Sequence, residues 1–490
     1  MSDVGQRERM TQQRIVSLFT NELGWNYLGD WHDRTNNRNI EIELLKTWLG
    51  SRRISENLIT KALRQLDRAA ALGEGKKPYY ANKEVYQLLR YGVRDKEGAG
   101  ELNQTIWLID WDNPEANDFA VAEEVSISGE NKKRPDLVLY VNGIALGVIE
   151  LKRSSVSVAE GIRQNLDNQK KDFIRNFFTT IQLVMAGNDT QGLRYGTIET
   201  TEKYYLEWKE SDEHLYDYKL DFDVRCICNK QRFLQIIHDF MVFDSGVKKT
   251  CRHNQYFGVE AAKRHIAIRK GGIIWHTQGS GKSLTMVWLA KWIRENITNA
   301  RVLIITDRTE LDEQIEKVFT GVDEDIYRTN SGADLLATLN QANPWLIGSL
   351  VHKFGRNGED DNNATDDFIA EIRSKLPNDF KAKGDLFIFV DECHRTQSGK
   401  LHEAMKHILP EAMFIGFTGT PLMKKDKQKS IEIFGPYIHT YKFNEAVADG
   451  VVLDLRYEAR DIDQQIKSQN ILMIGLILKL KGYHDLVVIS

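Results

Sequence analysis

The stretch His276-Thr277-Gln278-Gly279-Ser280-Gly281-Lys282-Ser283 follows the apolar run Ile273-Ile274-Trp275 and leads into a helical pattern. A glycine-rich turn between a buried strand and a helix offers backbone N–H groups that close around phosphate groups. Lys282 is expected to reach the β- and γ-phosphates of ATP, and the Ser283 hydroxyl to ligate Mg²⁺. The sequence therefore predicts an ATP-binding loop made of Thr277, Gly279, Ser280, Gly281, Lys282 and Ser283.

One position of this loop departs from the strict phosphate-loop pattern. His276 stands where that pattern has its first glycine, so the full pattern fails by one residue. A Gly/Ser-rich turn that binds no phosphate is the alternative. The shorter Gly-x-Gly-Lys-Ser form after a buried strand still favours phosphate binding.

An acidic pair follows a second strand pattern of the same kind. Asp391-Glu392-Cys393-His394 comes directly after the apolar run 386–390. Next to a phosphate loop, one carboxylate is needed to hold Mg²⁺ and another to orient the attacking water. We expect Asp391 to hold the metal and Glu392 to act as the base. A capped helix start is the alternative for an acidic pair that stands alone.

The strand patterns of this part of the chain share a further property. The apolar runs 302–305, 387–390 and 414–417 are typical of parallel strands buried on both faces, and each ends at a polar motif. Ligands of open α/β sheets bind outside the carboxyl ends of the strands. Residues 251–455 are therefore predicted to form one α/β domain with a doubly wound parallel sheet.

A different pattern of charges lies upstream. Asp136, Glu150 and Lys152 have the spacing Asp-x(13)-Glu-x-Lys. Two carboxylates can share a divalent metal that activates a water molecule, and a lysine can orient or deprotonate that water or bind a phosphate. Glu150 and Lys152 lie two residues apart on an apolar strand and so share a face. Asp136, Glu150 and Lys152 are predicted to form a nuclease site, with a solvated strand as the alternative.

The turn before Glu150 decides whether these residues can meet. A two-residue Asn142-Gly143 loop would pair Asp136 with Ile149 and place Asp136 on the face opposite Glu150. A three-residue loop with Gly143 in the left-handed conformation would pair Asp136 with Val148 and bring all three residues to one face. We therefore predict a bulged three-residue turn, or an Asp136 that lies outside the regular pairing.

The remaining patterns outline the first two hundred residues. Helices are predicted at 9–28, with Gly24 as C-cap, and at 39–49, 54–71 and 156–177. Strands are predicted between 104 and 151 and at 181–186. The mixed, charged and aromatic segment 205–250 is interpreted as a connection between domains.

Composition sets wider bounds. The chain has 490 residues, 41% hydrophobic and 28% charged, with a net charge of −4, which fits two or three globular domains and leaves local basic surfaces possible. Cys226-x-Cys228 alone is a poor zinc motif. The polar N-terminus has no secretory signal, and the apolar segment 471–480 is too short to cross a bilayer. We expect a cytoplasmic protein that does not bind a membrane.

These motifs together resemble a known superfamily. Four motifs resemble landmarks of superfamily 2 helicases and translocases: Thr277–Ser283, Thr306-Asp307-Arg308, Asp391–His394 and Thr418-Gly419-Thr420. Gln255 resembles the glutamine that reads adenine in that superfamily. A narrower resemblance comes from the particular residues of the phosphate loop, of Thr306–Asp312 and of Lys353-Phe354. Together they resemble the motor and endonuclease subunit (the R subunit) of type I restriction enzymes.

The resemblance implies an organisation. Residues 1–200 would form a restriction-endonuclease-like domain, 201–250 a connector and 251–455 the first RecA-like motor domain. Thr306–Arg308 and 348–354 would lie near the DNA backbone, and Thr418 and Thr420 would couple the ATP state to DNA contact. Gln164 resembles a downstream glutamine motif of the family, but Asn168 stands where the family has a tyrosine.

The resemblance also implies a function. With ATP and Mg²⁺, such a subunit translocates and cleaves unmodified double-stranded DNA, together with modification (methyltransferase) and specificity subunits. The family's subunits are longer and have a second RecA-like domain, so 456–490 is interpreted as a truncated or aberrant tail. Two alternatives stay open: a translocase with an inert nuclease site, and a non-catalytic ATP-binding remnant.

Overall fold

The computed structural model describes residues 3–73, 75–211, 216–306, 309–350, 369–370, 372–376, 380–393, 396–420 and 431–454. Residues up to Val451 form one compact unit, and the following paragraphs concern that unit alone. None of the helices in the described ranges is both long enough and apolar enough to cross a bilayer.

Five helices belong to the N-terminal part of the chain: α1 Asp3–Asn21, α2 Ile42–Ser51, α3 Glu56–Ala70, α4 Pro78–Tyr91 and α5 Val158–Asn168. Capping explains two of their starts, because Ser55 and Ser157 accept hydrogen bonds from the backbone N–H groups of Leu58 and Ala159. The helix predicted to reach residue 28 is wrong at its end. Gly24 adopts a left-handed φ of 67°, which ends α1 before a strand.

Nine strands accompany these helices: β1 Asn26–Asp30, β2 Val93–Asp95, β3 Gln104–Ile106, β4 Phe119–Glu123, β5 Leu137–Val141, β6 Ile144–Leu151, β7 Leu183–Asn188, β8 Gly192–Gly196 and β9 Leu206–Glu207. Seven of them form one mixed sheet in the order β1-β4-β5-β6-β7-β8-β9, and β2 pairs with β3. Every residue of β5, β6 and β7 is buried. The centre of this sheet is therefore covered on both faces.

The hairpin between β5 and β6 differs from the prediction. Val141 pairs with Ile144, so the turn has two residues, and the predicted three-residue turn is wrong. Asn142 and Gly143 both have positive φ, 52° and 81°, which is the geometry of a tight hairpin turn. The Asn142 amide is fixed by Leu108 O, Asn117 Oδ1 and the Asp118 N–H.

The shift of register between β5 and β6 comes from a β-bulge in β6 and not from the turn. Leu139 pairs with Gly147 and Tyr140 with Ala145, which leaves Leu146 as an extra residue in β6. Asp136 precedes β5 and lies outside the ladder, as the second form of the prediction stated. If the pairing continued by one step, Asp136 would stand opposite Glu150, on the same face.

The segment predicted as a connection is structured throughout most of its length. It contains α6 Lys219–Cys228, α7 Lys230–Asp239 and the hairpin β10 Met241–Asp244 with β11 Val247–Thr250. Lys248 in β11 is buried, and its ammonium donates to Asn82 Oδ1 at 2.8 Å and Gln182 Oε1 at 2.5 Å. Burial lowers the pKa of Lys248 well below its usual value. The segment is thus packed into the N-terminal part.

The remaining strands form a second sheet: β12 Gly272–His276, β13 Ala300–Thr306, β14 Tyr327–Arg328, β15 Leu346–Leu350, β16 Asp385–Val390, β17 Met413–Thr418 and β18 Tyr437–Tyr441. Their order is β14-β15-β13-β16-β17-β12-β18, and every pairing between them is parallel. The predicted parallel-sheet α/β class is confirmed.

Helices alternate with these strands, among them α8 His253–Ala267, α9 Lys282–Asn296, α10 Thr309–Gly321, α11 Gly332–Leu339, α12 Thr396–Ile408 and α13 Phe443–Ala448. Glu295, near the end of α9, lies 2.5 Å from the buried guanidinium of Arg90 in α4. Helix α4 also presents Asn82, whose amide donates to three carbonyls just before β7. Helix α4 therefore contacts elements next to both sheets: α9 beside the parallel sheet and the segment that leads into β7 of the mixed sheet.

Arg301 organises the start of the central strand β13. Its side chain is 1% exposed, and its guanidinium donates to the carbonyls of Thr338, Leu339, Gln341, Pro344 and Lys383. A buried guanidinium is stable only when its donors are satisfied. Arg301 therefore connects the start of β13 to the segments that lead into β15 and β16.

We expect Arg301→Met to lower the free energy of unfolding by about 3 kcal/mol, because it leaves several buried carbonyls without a donor. Arg269→Met is the matched control. Arg269 makes an ion pair with Asp385 and is 46% exposed, so its loss should cost less than about 1 kcal/mol. Urea denaturation followed by circular dichroism measures both, and equal losses would contradict this role of Arg301.

Candidate functional sites

The phosphate loop has the backbone that the sequence requires. Gly279 and Gly281 have φ values of 82° and 90°, and Gly281 is the N-cap of α9. A Cβ on Gly281 would lie 2.5 Å from Gln255 Nε2, so that position has room only for glycine. Ser280 is buried and its hydroxyl donates to Thr277 O at 2.5 Å. The loop is closed on itself, with Ser283 half-buried in the first turn of α9.

Lys282 meets the acidic pair. Its Nζ lies 3.0 Å from Glu392 Oε1, and a Cβ on Gly419 would lie 2.8 Å from the same Nζ. Asp391 is buried at the end of β16, where its N–H donates to Ile305 O and its carboxylate accepts from the Glu392 N–H. The carboxyl ends of β12, β16 and β17 therefore bring the predicted catalytic groups together.

Gln255 is placed against the same loop. It lies in the first turn of α8 and is 1% exposed. Its Oε1 accepts from the Arg252 N–H at 2.9 Å, and its Nε2 donates to Gly281 O at 3.0 Å. The amide that was expected to read adenine thus also holds the end of the phosphate loop.

Three threonines lie at strand ends near this loop. Thr420 N–H donates to Thr418 Oγ1 at 3.2 Å, which closes a local turn after β17. Thr306 ends β13, and its buried hydroxyl has no hydrogen-bond partner among the described residues. Several residues that the sequence singled out lie outside the described ranges: Asp307, Arg308, Lys353, Phe354 and His394.

The predicted nuclease residues are gathered at the middle of the first sheet. Glu150 in β6 is fully buried. Helix α5 lies beside it, and two of its side chains bind the carboxylate: Gln164 Nε2 donates to Oε2 at 2.7 Å and Asn168 Nδ2 donates to Oε1 at 3.2 Å. A Cβ on Gly161 would lie 3.0 Å from the Cβ of Ala186 in β7, so glycine allows α5 to pack closely on that strand.

Asp136 completes the acidic pair. Its Oδ2 accepts from the Leu151 N–H at 2.6 Å, which fixes Asp136 against the strand that bears Glu150. Burial raises the pKa of Glu150 well above its usual value, and the neighbouring Asp136 carboxylate raises it further, while the Lys152 charge opposes them. Lys152 follows β6, and its Nζ donates to Leu151 O at 3.0 Å.

This arrangement fits a divalent cation. Burial raises the pKa of Glu150 most, and repulsion by the Asp136 carboxylate adds to it. A cation between them would relieve the repulsion, and an all-oxygen donor set suits Mg²⁺. The described residues contain no cluster of three or more His, Cys, Asp or Glu side chains suited to a metal, so the ligands considered from the protein are the two carboxylates of Asp136 and Glu150.

Asn168 is a site residue that the sequence argument left in doubt. Gln164 and Asn168 are four residues apart on α5, so they lie on one helix face, and both reach Glu150. The departure from tyrosine therefore puts a second amide donor on the buried carboxylate. The spacing of two amide side chains opposite a predicted acidic strand was the available signal.

Two family models match the chain, one on each side of the connecting segment. Residues 5–203 match the family described as "Type I restriction enzyme R protein N terminus", and residues 254–476 match "SWI2/SNF2 ATPase". The first covers the sheet with Asp136 and Glu150, and the second covers the parallel sheet with the phosphate loop. The resemblance to type I restriction R subunits and superfamily 2 motors is confirmed.

Individual relatives agree. The type I restriction enzyme HindI endonuclease subunit of Haemophilus influenzae is 27% identical over 93% of this chain and 46% of its own length. The SsaAORF53P endonuclease subunit of Staphylococcus saprophyticus is 28% identical over 72% and 37%. The chain spans less than half the length of these relatives. The Sulfolobus solfataricus SWI2/SNF2 ATPase core in complex with dsDNA is 14% identical over 44% and 40%, with a TM-score of 0.29.

The raised pKa of Glu150 predicts how stability depends on pH and metal. The unfolded chain releases this proton near pH 4.5, but the folded chain holds it to higher pH. Stability is therefore lost as pH rises through that window, and is unaffected below it. Glu150→Gln should melt about 2 °C higher than wild type at neutral pH without metal, and this gap should close on acidification.

The same variant should lose the response to metal. Mg²⁺ should raise the melting temperature of wild type and not that of Glu150→Gln, since an amide neither repels Asp136 nor binds the cation as a carboxylate does. The matched control is Glu160→Gln, whose carboxylate is 56% exposed on α5 and should behave as wild type. Equal stabilisation of all three proteins by Mg²⁺ would contradict the metal site.

Proposed function

We propose that this chain, similar to the N-terminal region of type I restriction R proteins and to SWI2/SNF2 ATPases, supplies the motor and nuclease of a type I restriction endonuclease. It would translocate and cleave unmodified double-stranded DNA at the expense of ATP. The observation that carries this proposal is the presence of both catalytic clusters in one compact unit: Lys282 with Glu392, and Asp136 with Glu150.

The division of labour follows the two sheets. We assign residues 1–200 to an endonuclease domain, 201–250 to a connector and 251–455 to a first RecA-like motor domain. Modification and specificity subunits would recognise and methylate the DNA site. Two relatives that are endonuclease subunits of type I restriction enzymes support this assembly, and we assign the chain to the cytoplasm.

In the motor, Lys282 and Glu392 neutralise each other without nucleotide. We propose that ATP phosphates draw Lys282 away, so that Glu392 becomes free to orient the attacking water. Ser283 and Asp391 are the oxygen ligands for Mg²⁺, which would shield the phosphate charge. Gly419 leaves the space through which the Lys282 ammonium moves.

In the nuclease, Asp136 and Glu150 are the ligands for Mg²⁺, which would supply an activated water and stabilise charge on the phosphate. Gln164 and Asn168 fix the orientation of Glu150 by one hydrogen bond to each oxygen. Lys152 lies at the end of the same strand, where it can hold the scissile phosphate or remove a proton from the water.

ATP hydrolysis tests the motor. The purified chain is assayed with and without double-stranded DNA, beside Lys282→Ala. DNA-stimulated turnover that Lys282→Ala abolishes supports an active motor. Nucleotide binding without turnover supports the alternative of a non-catalytic ATP-binding protein, whose hydrolysis depends on a further motor domain.

DNA cleavage tests the nuclease. The chain, combined with modification and specificity subunits, should cut unmodified DNA in the presence of ATP and Mg²⁺. Lys152→Ala should reduce cleavage by at least about 100-fold and leave ATP hydrolysis unchanged. Lys170→Ala, an exposed lysine at the end of α5, is the control. Cleavage that survives Lys152→Ala would favour a translocase whose Asp136/Glu150 site is inert.

A further inference from the structure

The two ends of the phosphate loop are attached to consecutive residues of one helix. Gln255 Nε2 donates to Gly281 O, at the end of the loop. Asn254, the preceding residue, contacts His276 Nδ1 at 3.5 Å, at the start of the loop. Helix α8 therefore holds the loop at both ends, and the residue that departs from the strict pattern makes one of the two attachments.

His276 is built into this position. Its side chain is fully buried, and its Nε2 lies 2.9 Å from Nδ1 of His439 in β18. Burial lowers the pKa of His276 well below its usual value, and the nearby His439 and Lys282 lower it further. The ring is therefore neutral, with one nitrogen as donor and the other as acceptor.

The hydrogen-bond roles can be assigned from the neighbours. Asn254 Oδ1 is buried and has no partner within the described residues, and the oxygen and nitrogen of an amide are interchangeable by a flip. Turning the Asn254 amide gives Oδ1 the Nδ1–H of His276. His276 Nε2 then accepts from the Nδ1–H of His439, so both ring nitrogens of His276 have a partner.

Close packing supports the same contact. A Cβ on Gly258 would lie 2.9 Å from His276 Cε1, so α8 approaches the ring as closely as a glycine allows. Asn254 and Gly258 are four residues apart and share a helix face. The imidazole thus packs against the face of α8 that Asn254 and Gly258 share.

We propose that His276 is a positioning residue that fixes Gln255 relative to the phosphate loop, and so sets the preference of the site for ATP over GTP. The inference rests on the proposed role of Gln255 as the residue that reads adenine. An amide distinguishes adenine from guanine only if its donor and acceptor stand at the right height above the phosphates. The contacts at His276 and Gly281 hold neighbouring residues of α8 to the two ends of the loop, and the loss of either contact removes one of these two constraints on Gln255.

Two conservative variants separate this role from simple packing. The amide of His276→Asn occupies the place of Nδ1 and keeps the contact to Asn254, whereas that of His276→Gln occupies the place of Nε2 and keeps the contact to His439. Equilibrium binding of a fluorescent ATP analogue to the purified chain, displaced by ATP and by GTP, gives the ratio of the two affinities. Melting temperatures show that each variant is folded.

We expect His276→Asn to keep the wild-type ratio and His276→Gln to lose about five- to tenfold of it, as the loss of one buried hydrogen bond implies. Asn254→Ala should behave as His276→Gln, and it replaces that variant if the latter does not fold. Gln255→Ala gives the ratio without any adenine reading.

The outcomes are distinct. Equal ratios in His276→Asn, His276→Gln and Asn254→Ala, whether kept or lost, would overturn the positioning role and leave His276 as a packing residue. If wild type itself does not prefer ATP, or if Gln255→Ala keeps the preference, Gln255 does not read adenine, and the proposed assignment of that residue falls together with the inference. A preference lost in Gln255→Ala, Asn254→Ala and His276→Gln but kept in His276→Asn supports both.

Discussion

The ion pair between Lys282 and Glu392 depends on a constraint that shapes the second sheet: the carboxyl ends of parallel strands meet at one edge. β12 leads through the phosphate loop to Lys282, β16 leads to Glu392 and β17 to Gly419, so three distant parts of the sequence meet at this edge. Two opposite charges that are partly removed from water need each other, because either one alone would leave an unpaired charge in a place of low polarity. Triphosphate is a stronger partner for the lysine than a carboxylate, and the pair is therefore a natural resting state for a site that awaits ATP.

In the first sheet the neighbouring charges have the same sign, because Asp136 and Glu150 both carry carboxyl groups. Glu150 is surrounded by β5, β6 and β7, all fully buried, and Asp136 lies against it. Gln164 and Asn168 offset part of the cost with two hydrogen bonds, but amides carry no charge, and the raised pKa of Glu150 shows what they leave uncompensated. The pair therefore costs stability, and the cation that we propose for this site would offset that cost.

The sequence was informative where the pattern is local and silent where packing decides. Apolar runs that end at polar motifs predicted the parallel sheet and placed Lys282, Asp391 and Glu392 together. They could not locate the bulge at Leu146, since β6 is buried on both faces and lacks the alternation that would fix its register. The segment 205–250 shows the same limit, because its local pattern does not reveal that Lys248 is buried between Asn82 and Gln182. Whether a charged residue is buried depends on partners that are distant in sequence, and a local pattern does not show them.

His276 shows what a departure from a pattern can mean. A glycine in its place would satisfy the backbone of the phosphate loop equally well, because β12 ends there in an ordinary extended conformation. It would also remove the only side chain that links the loop to Asn254 and to His439 among the contacts described. A large buried ring is tolerated here because Gly258 on α8 makes room for it. The side chain at position 276 is thus accommodated by a glycine on the facing helix, and its two ring nitrogens connect the start of the loop to α8 and to β18.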